Sequence, residues 1–338
     1  MTGPLRVLTV TNMWPTGGDF RGIFVQEQVE ALQALGHHVD VEIVAQARGR
    51  RDYFLAAPRV RRRVRSGSYD VVHVHFGMTA LAARFVGRVP RVLTLHGGDV
   101  HIWWQRWLTR LGWGGIAEKI YASARLARDA GVEPSTATVI ACGLDLSVFT
   151  PQPQPAARSA LGIEHDEPVI LFGAAPSNPV KGYDIFTDVL AALRERGLPV
   201  HEMILAEPGQ SRARVALRYA AADVLLVTSN KGTEAGPVIV KEAALMGLPV
   251  VSVDVGDVSE VLASVSPSTV VPWPASWGTP DARAALVASL ADEIAAILVK
   301  RERSNGRERG AHLDGRIAAE QVADVYRRVI ARTAPASS

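Results

Sequence analysis

The chain has 338 residues, of which 48% are apolar and 21% charged. This is a globular composition; it excludes disordered, collagen-like and coiled-coil chains and, at about 150 residues per domain, suggests two domains. The 37 Lys and Arg against 34 Asp and Glu leave a net charge of +3, too small an excess to announce a nucleic-acid binder.

The opening segment, MTGPLRVLTVTNMW, lacks the charged start, long apolar stretch and cleavage site of a signal peptide. Strands are predicted at Arg6–Thr11, Val39–Val44, Val71–His75, Val92–Leu95, Lys119–Ala122 and Thr138–Ala141, with a helical pattern over Gly22–Leu35. Strand–helix–strand alternation predicts a parallel sheet covered by helices, and an apolar run such as VVHV fits burial on both faces. The one cysteine, Cys142, allows no intrachain disulfide or Cys-based metal cluster, fits a reducing compartment and reads as a packing residue. At Thr150–Pro155, TPQPQP, three alternating prolines predict a stiff extended linker. The alternation then restarts. Strands are predicted at Val169–Gly173, His201–Leu205, Val224–Thr228 and Val250–Val253, and helices at Tyr183–Arg196 and Gly236–Met246. Terminal helices follow at Arg283–Leu298 and Ile317–Ile330, then a frayed tail, APASS. No run of about 18 apolar residues occurs, so the expectation is a soluble, cytoplasmic, two-domain α/β protein.

Two open parallel sheets joined by a linker imply a cleft, and ligands of such sheets bind at the carboxyl ends of the strands. The first strand-end loop, NMWPTGGDFR, carries Gly17-Gly18 ahead of a helix. It reads either as a phosphate cradle or as a tight strand–helix turn. It is neither GxGxxG nor a P-loop. His96-Gly97-Gly98-Asp99 follows the strand VLTL, where a histidine can donate to an oxyanion or orient a hydroxyl. His73 and His75 share one strand face; they read as sheet histidines rather than metal ligands. Lys181, beside Gly182 at a helix start, suits a phosphate as a point charge. In TSNKGTEAGPVIVKEAALMG, Glu234 and Glu242 stand eight residues apart, a little over two turns, so both can face one cleft. Paired carboxylates there suit the hydroxyls of a sugar or ribose. Gly236-Pro237 shapes the start of that helix.

The E-x7-E pattern of Glu234 and Glu242 is followed by AALMGLPVVSVDVGDVSEVL. Together with the Gly17-Gly18 loop, DVVHVHFG, HGGD and ACGLDLSVFTP, it resembles the family-4 retaining glycosyltransferases of the GT-B fold. The pattern is most similar to the bacterial cell-surface polysaccharide branch, including teichuronic-acid-type enzymes. The resemblance implies two Rossmann-like domains facing each other across a cleft. The N-terminal acceptor domain would span residues 1–150 and the donor domain 151–315. Residues 316–338 would pack back on the N-terminal domain and end in the tail. It implies a UDP- or GDP-type nucleotide sugar as co-substrate, transfer with retention to a glycan, lipid-linked or small-molecule acceptor, and no cofactor or metal. By the same resemblance Gly17 and Gly18 serve the donor phosphate, and His96 contacts the transferred sugar. Lys181 binds the diphosphate, and Glu234 holds sugar hydroxyls. Glu242 holds the ribose diol, while Gly236, Pro237 and Val238 line the sugar and phosphate site.

Two features depart from that pattern. The Arg expected a few residues before Lys181 is missing from FGAAPSNPVKG, and Lys181–Glu234 leaves room for one βα unit fewer than usual. A sugar-nucleotide epimerase of the same fold and a non-catalytic sugar- or nucleotide-binding protein stay open as alternatives. On the acceptor side, Trp103, Trp104, Trp107 and Trp113 interleave with Arg106 and Arg110, and a basic run including Arg61 and Arg62 lies upstream. Such a mixture suits peripheral contact with the inner face of a membrane, a stacking platform for a sugar, or ordinary helix packing.

Overall fold

The computed structural model describes residues 3–16, 21–45, 48–164, 166–206 and 210–333. The chain divides into two compact units, Met1–Asp145 with Leu313–Ser338, and Leu146–His312. The tail 334–338 lies outside the described residues.

The first unit has strands β1 (Arg6–Thr11), β2 (His38–Ile43), β3 (Val71–His75), β4 (Arg91–Leu95), β5 (Ile116–Tyr121) and β6 (Thr138–Val139). They form one sheet in the order β2-β1-β3-β4-β5-β6, parallel throughout. All five residues of β3 are buried, which is why VVHVH shows no alternation. The helices Ile23–Ala34 and Gly315–Thr333 meet over this sheet. Val29, Leu32, Ala319, Val322, Tyr326 and Val329 share one core with Val7, Val71, Val92 and Ile120. The chain re-enters this unit at a close crossing: Leu144 N donates to Leu313 O and Gly315 N to Leu144 O, both at 2.8 Å. A Cβ on Gly143 would lie 2.5 Å from the Gly315 Cα, so only glycine permits the approach.

The second unit has strands β7 (Val169–Phe172), β8 (His201–Ile204), β9 (Val224–Val227), β10 (Val250–Val253) and β11 (Thr269–Val271). Their order is β11-β10-β9-β7-β8, again parallel throughout. Among the described residues only β8 and β9, with the helices Tyr183–Glu195 and Arg212–Ala221, lie between Lys181 and Glu234, so β8 ends the sheet.

The proline run departs from a simple extended linker. A helix, Gln154–Leu161, begins inside it with Pro155 in the first turn, where the missing N–H costs no helical bond. Arg158 anchors this helix to Asp223 at 2.7 Å, and Asp223 also accepts the Val169 N–H at 2.7 Å.

Candidate functional site

In the second unit, Lys181 ends a short 3₁₀ turn, Pro179–Lys181, that follows β7. Gly182 comes next at φ +64°. A Cβ there would lie 2.0 Å from the Thr228 carbonyl oxygen, so the turn can close on the end of β9 only with glycine. The Thr228 hydroxyl donates back to the Gly182 carbonyl at 2.8 Å. The closed turn brings the Lys181 ammonium onto Oε1 of Glu234, which also accepts the Ser229 hydroxyl at 2.9 Å. A cation, a carboxylate and a hydroxyl thus converge at the carboxyl ends of β7 and β9, where ligands of such sheets bind.

Glu234 lies in the loop ahead of the helix and Glu242 within it, as the helix predicted from Gly236 onward requires. Pro237 is the N-cap, and the helix runs over Val238–Leu245, because Gly236-Pro237 cannot continue it backward. Of the nine residues from Glu234 to Glu242, four therefore precede the helix and five lie in it. Their carboxylates have different partners. Glu242 is buried, with Arg212 donating to Oε1 at 2.8 Å and the Tyr219 hydroxyl to Oε2 at 2.7 Å. The Arg212 guanidinium also lies over the Phe149 ring at 4.7 Å. Burial first, and Glu242 second, push the Tyr219 phenol well above its ordinary range, so it stays a donor.

The loop at Gly236 rests on a second turn. A Cβ on Gly236 would meet the Asp257 carboxylate at 2.9–3.0 Å, and one on Gly256, at φ +53°, would meet the Ala235 backbone at 2.7 Å. Asp257 pairs with Lys241 at 2.7 Å, both groups being almost completely buried. Its Oδ1 has no hydrogen-bond partner among the described residues. Ser229, Arg212, Tyr219, Lys241 and Asp257 were not legible as site residues. Each is an ordinary residue in its own element, and only packing brings it to the site.

In the first unit, His96 follows β4. Gly97 takes φ +129°, and the Asp99 carboxylate accepts the backbone N–H groups of Gly97 at 2.8 Å, Gly77 at 3.0 Å and His96 at 3.2 Å. Asp99 is therefore the keystone of the loop. Burial raises its carboxyl, against the pull of those donors. His96 stacks on His75 with Nε2 3.1 Å from the His75 Nδ1, and packs against Phe24 at 4.8 Å between ring centroids. Desolvation lowers His96 to about 4, so its imidazole is neutral near pH 7. His73 bridges the Tyr326 hydroxyl at 2.6 Å and Thr94 at 2.7 Å, as a sheet histidine. Among the described residues no group of three His, Cys, Asp or Glu is placed to hold a metal ion. Gly17 and Gly18 lie outside the described residues.

The four tryptophans between residues 103 and 113 split into two sets. Trp103 and Trp107 are exposed; Trp104 is half-buried under Arg50 at 5.4 Å, and Trp113 is half-buried beside Lys119 at 4.5 Å. Arg61 and Arg62 are exposed on the helix Ala57–Gly67.

Comparison with known proteins bears out the resemblance at the level of glycosyltransferases of the GT-B fold. Residues 22–148 match the family described as Glycosyltransferase Family 4. The chain is 30% identical over 246 residues to a D-inositol 3-phosphate glycosyltransferase of Xylanimonas cellulosilytica, covering 58% of each. It is 27% identical over 257 residues to that of Jonesia denitrificans, covering 61% of this chain and 60% of that one. The chain thus spans little more than half the length of the curated relatives it matches. Among solved structures it resembles sucrose-phosphate synthase from Thermosynechococcus elongatus, with TM-score 0.75, 19% identity, and coverage of 97% of this chain and 100% of that one. It also resembles Anabaena HepE in complex with UDP-glucose, with TM-score 0.69, 17% identity, and coverage of 96% and 100%. The two parallel-sheet α/β units have the GT-B glycosyltransferase fold.

Proposed function

We propose that this chain, whose relatives are glycosyltransferases, transfers a sugar from a UDP- or GDP-type nucleotide sugar to a hydroxyl acceptor, with retention and without a metal ion. The observation that carries the reading is the convergence of Lys181, Ser229 and Glu234 ahead of the helix that starts at Val238. A cation beside a helix N-terminus suits a diphosphate, and a carboxylate beside both suits the hydroxyls of the attached sugar. In this reading the Lys181 ammonium meets the charge that grows on the departing diphosphate, and the first-turn N–H groups near Val238 assist it. Glu234 holds sugar hydroxyls through Oε2, the oxygen not given to Lys181 and Ser229. Glu242, fixed by Arg212 and Tyr219, is assigned the ribose through its remaining lone pairs. His96, neutral at working pH, is assigned a hydrogen bond to the transferred sugar.

A thermal-shift panel of UDP, GDP, ADP and their sugars identifies the donor. A ligand at about 100 times its Kd stabilises by about 2.7 kcal/mol. Transfer to an acceptor, with the product anomer read by NMR, then tests the reaction. Conversion of the donor without any acceptor indicates an epimerase instead, and donor binding with neither outcome indicates a binding protein. Inversion at the anomeric carbon would refute the proposed stereochemistry.

A further inference from the structure

We infer that the first unit carries a peripheral docking surface for an anionic lipid bilayer. The inference stands apart from the donor-site reading, since none of its residues takes part in that site.

The helix Trp103–Gly112 buries Thr109 and Gly112 and turns Trp103, Trp107 and Leu111 outward, four residues apart and so on one face. Trp103 is 80% and Trp107 60% exposed. A helix packed in a soluble protein places its apolar stripe inward, so this arrangement is inverted. A second apolar group adjoins it. Arg84 donates to the Leu111 carbonyl at 3.1 Å, and its guanidinium lies 5.8 Å from the centre of the Phe85 ring. Phe85 and Phe54, 59% and 57% exposed, line a groove of about 710 Å³ with Arg61, Arg62 and Arg65. The tryptophan stripe and the groove therefore meet at Arg84 and Phe85.

The charge of this region identifies its occupant. Residues 43–117 contain 13 Arg, 3 Asp and no Lys or Glu. All three carboxylates are engaged: Asp52 by Arg59, Asp70 by the Arg6 N–H, and Asp99 by its three backbone donors. Arg61, Arg62 and Arg65 are exposed and form no ion pair with a described residue. A second copy of the chain fits poorly, because a two-fold contact would set the same arginines against each other. An anionic bilayer answers both features. Its headgroups take the guanidinium groups, and its interfacial zone takes the indole rings, which carry an apolar body and a polar N–H. No helix among the described residues is long and apolar enough to cross a membrane, so the contact is peripheral.

Co-sedimentation of the full chain tests this with vesicles of phosphatidylcholine alone and of equal parts phosphatidylglycerol and phosphatidylcholine. The chain is expected to sediment with the mixed vesicles only, and less so as salt is raised. Trp103→Ser/Trp107→Ser and Arg61→Glu/Arg62→Glu/Arg65→Glu should each weaken binding at least tenfold while thermal stability is kept, since all five side chains are exposed. The control Arg214→Glu/Lys300→Glu/Arg309→Glu, the same charge change on the second unit, should sediment like wild type. Failure of the wild type to bind the mixed vesicles overturns the inference, as does equal weakening by patch and control variants. A dimer dispersed by the patch variants, without vesicle binding, overturns it in favour of a second copy.

Discussion

Lys181 and Glu234 share one hydrogen bond but serve different partners in the proposed reaction, and their removal should differ accordingly. Lys181→Met takes a charge from the leaving group. Loss of such a charge-assisted bond is worth about 1.5–3 kcal/mol, so kcat should fall about ten- to hundredfold, with little change in melting temperature. Glu234→Gln keeps the shape and should act mainly on sugar recognition, read as a rise in KM for the sugar nucleotide but not in Kd for the bare nucleoside diphosphate. Unchanged kinetics in both variants would remove the site from consideration. The Lys241–Asp257 pair answers to stability. Lys241→Met leaves a buried carboxylate without its cation and should cost about 3–5 kcal/mol, whereas Lys241→Met/Asp257→Ala should recover most of it. Urea unfolding of the single and double variants checks this. His73 adds a pH dependence. Burial lowers it to about 3, against about 6.5 in the unfolded chain. Between those values the unfolded chain binds a proton that the native site refuses. The stability this site contributes is thus complete above about pH 6.5 and falls as the pH drops toward 3. His73→Gln should flatten the slope of unfolding free energy between pH 6.5 and 5, and an unchanged slope would assign the effect elsewhere.

At the scale of elements, both candidate sites depend on turns that close where no side chain can intrude. Gly182→Ala would place a methyl group against the Thr228 carbonyl and force a positive φ on a residue that resists it. We expect it to shift the Lys181 turn away from Glu234 and to lower donor affinity together with the melting temperature. In the first unit the loop after β4 hangs on one carboxylate. Asp99→Ala leaves the buried N–H groups of Gly77 and Gly97 and the half-buried one of His96 without their acceptor, at about 1–3 kcal/mol for each buried group left unsatisfied. Calorimetry should register this loss, and NMR should show His96 displaced from its stack on His75. These turns were partly legible: the glycines stood at strand ends, but which carbonyl or carboxylate they would meet was not.

For the molecule as a whole, the first unit is discontinuous in sequence. Its core is completed by Ala319, Val322, Tyr326 and Val329 from the last helix, and Tyr326 reaches the buried His73. Deleting residues 313–338 should therefore unfold the first unit and leave the second unit's transition in place, since Leu146–His312 contains its own sheet. Hydrogen exchange on the truncated chain distinguishes this from a uniform loss.

Strands β1, β3 and β10 fall on the residues that their β-branched runs predict, and two parallel sheets follow from the alternation alone. These are local or periodic properties, carried by neighbouring residues and so readable in order. The strand-end placement of His96, Lys181 and Glu234 follows from the same periodicity. The pairing of Lys181 with Glu234, the clamp of Arg212 and Tyr219 on Glu242, and the Lys241–Asp257 pair were decided by tertiary structure. So was the division of the four tryptophans at 103–113, with two turned outward and two half-buried. Each joins residues with no local signal for one another. The contacts exist only because separate helices and strand ends are packed together, and burial then sets which charges are paired and which rings are left outside.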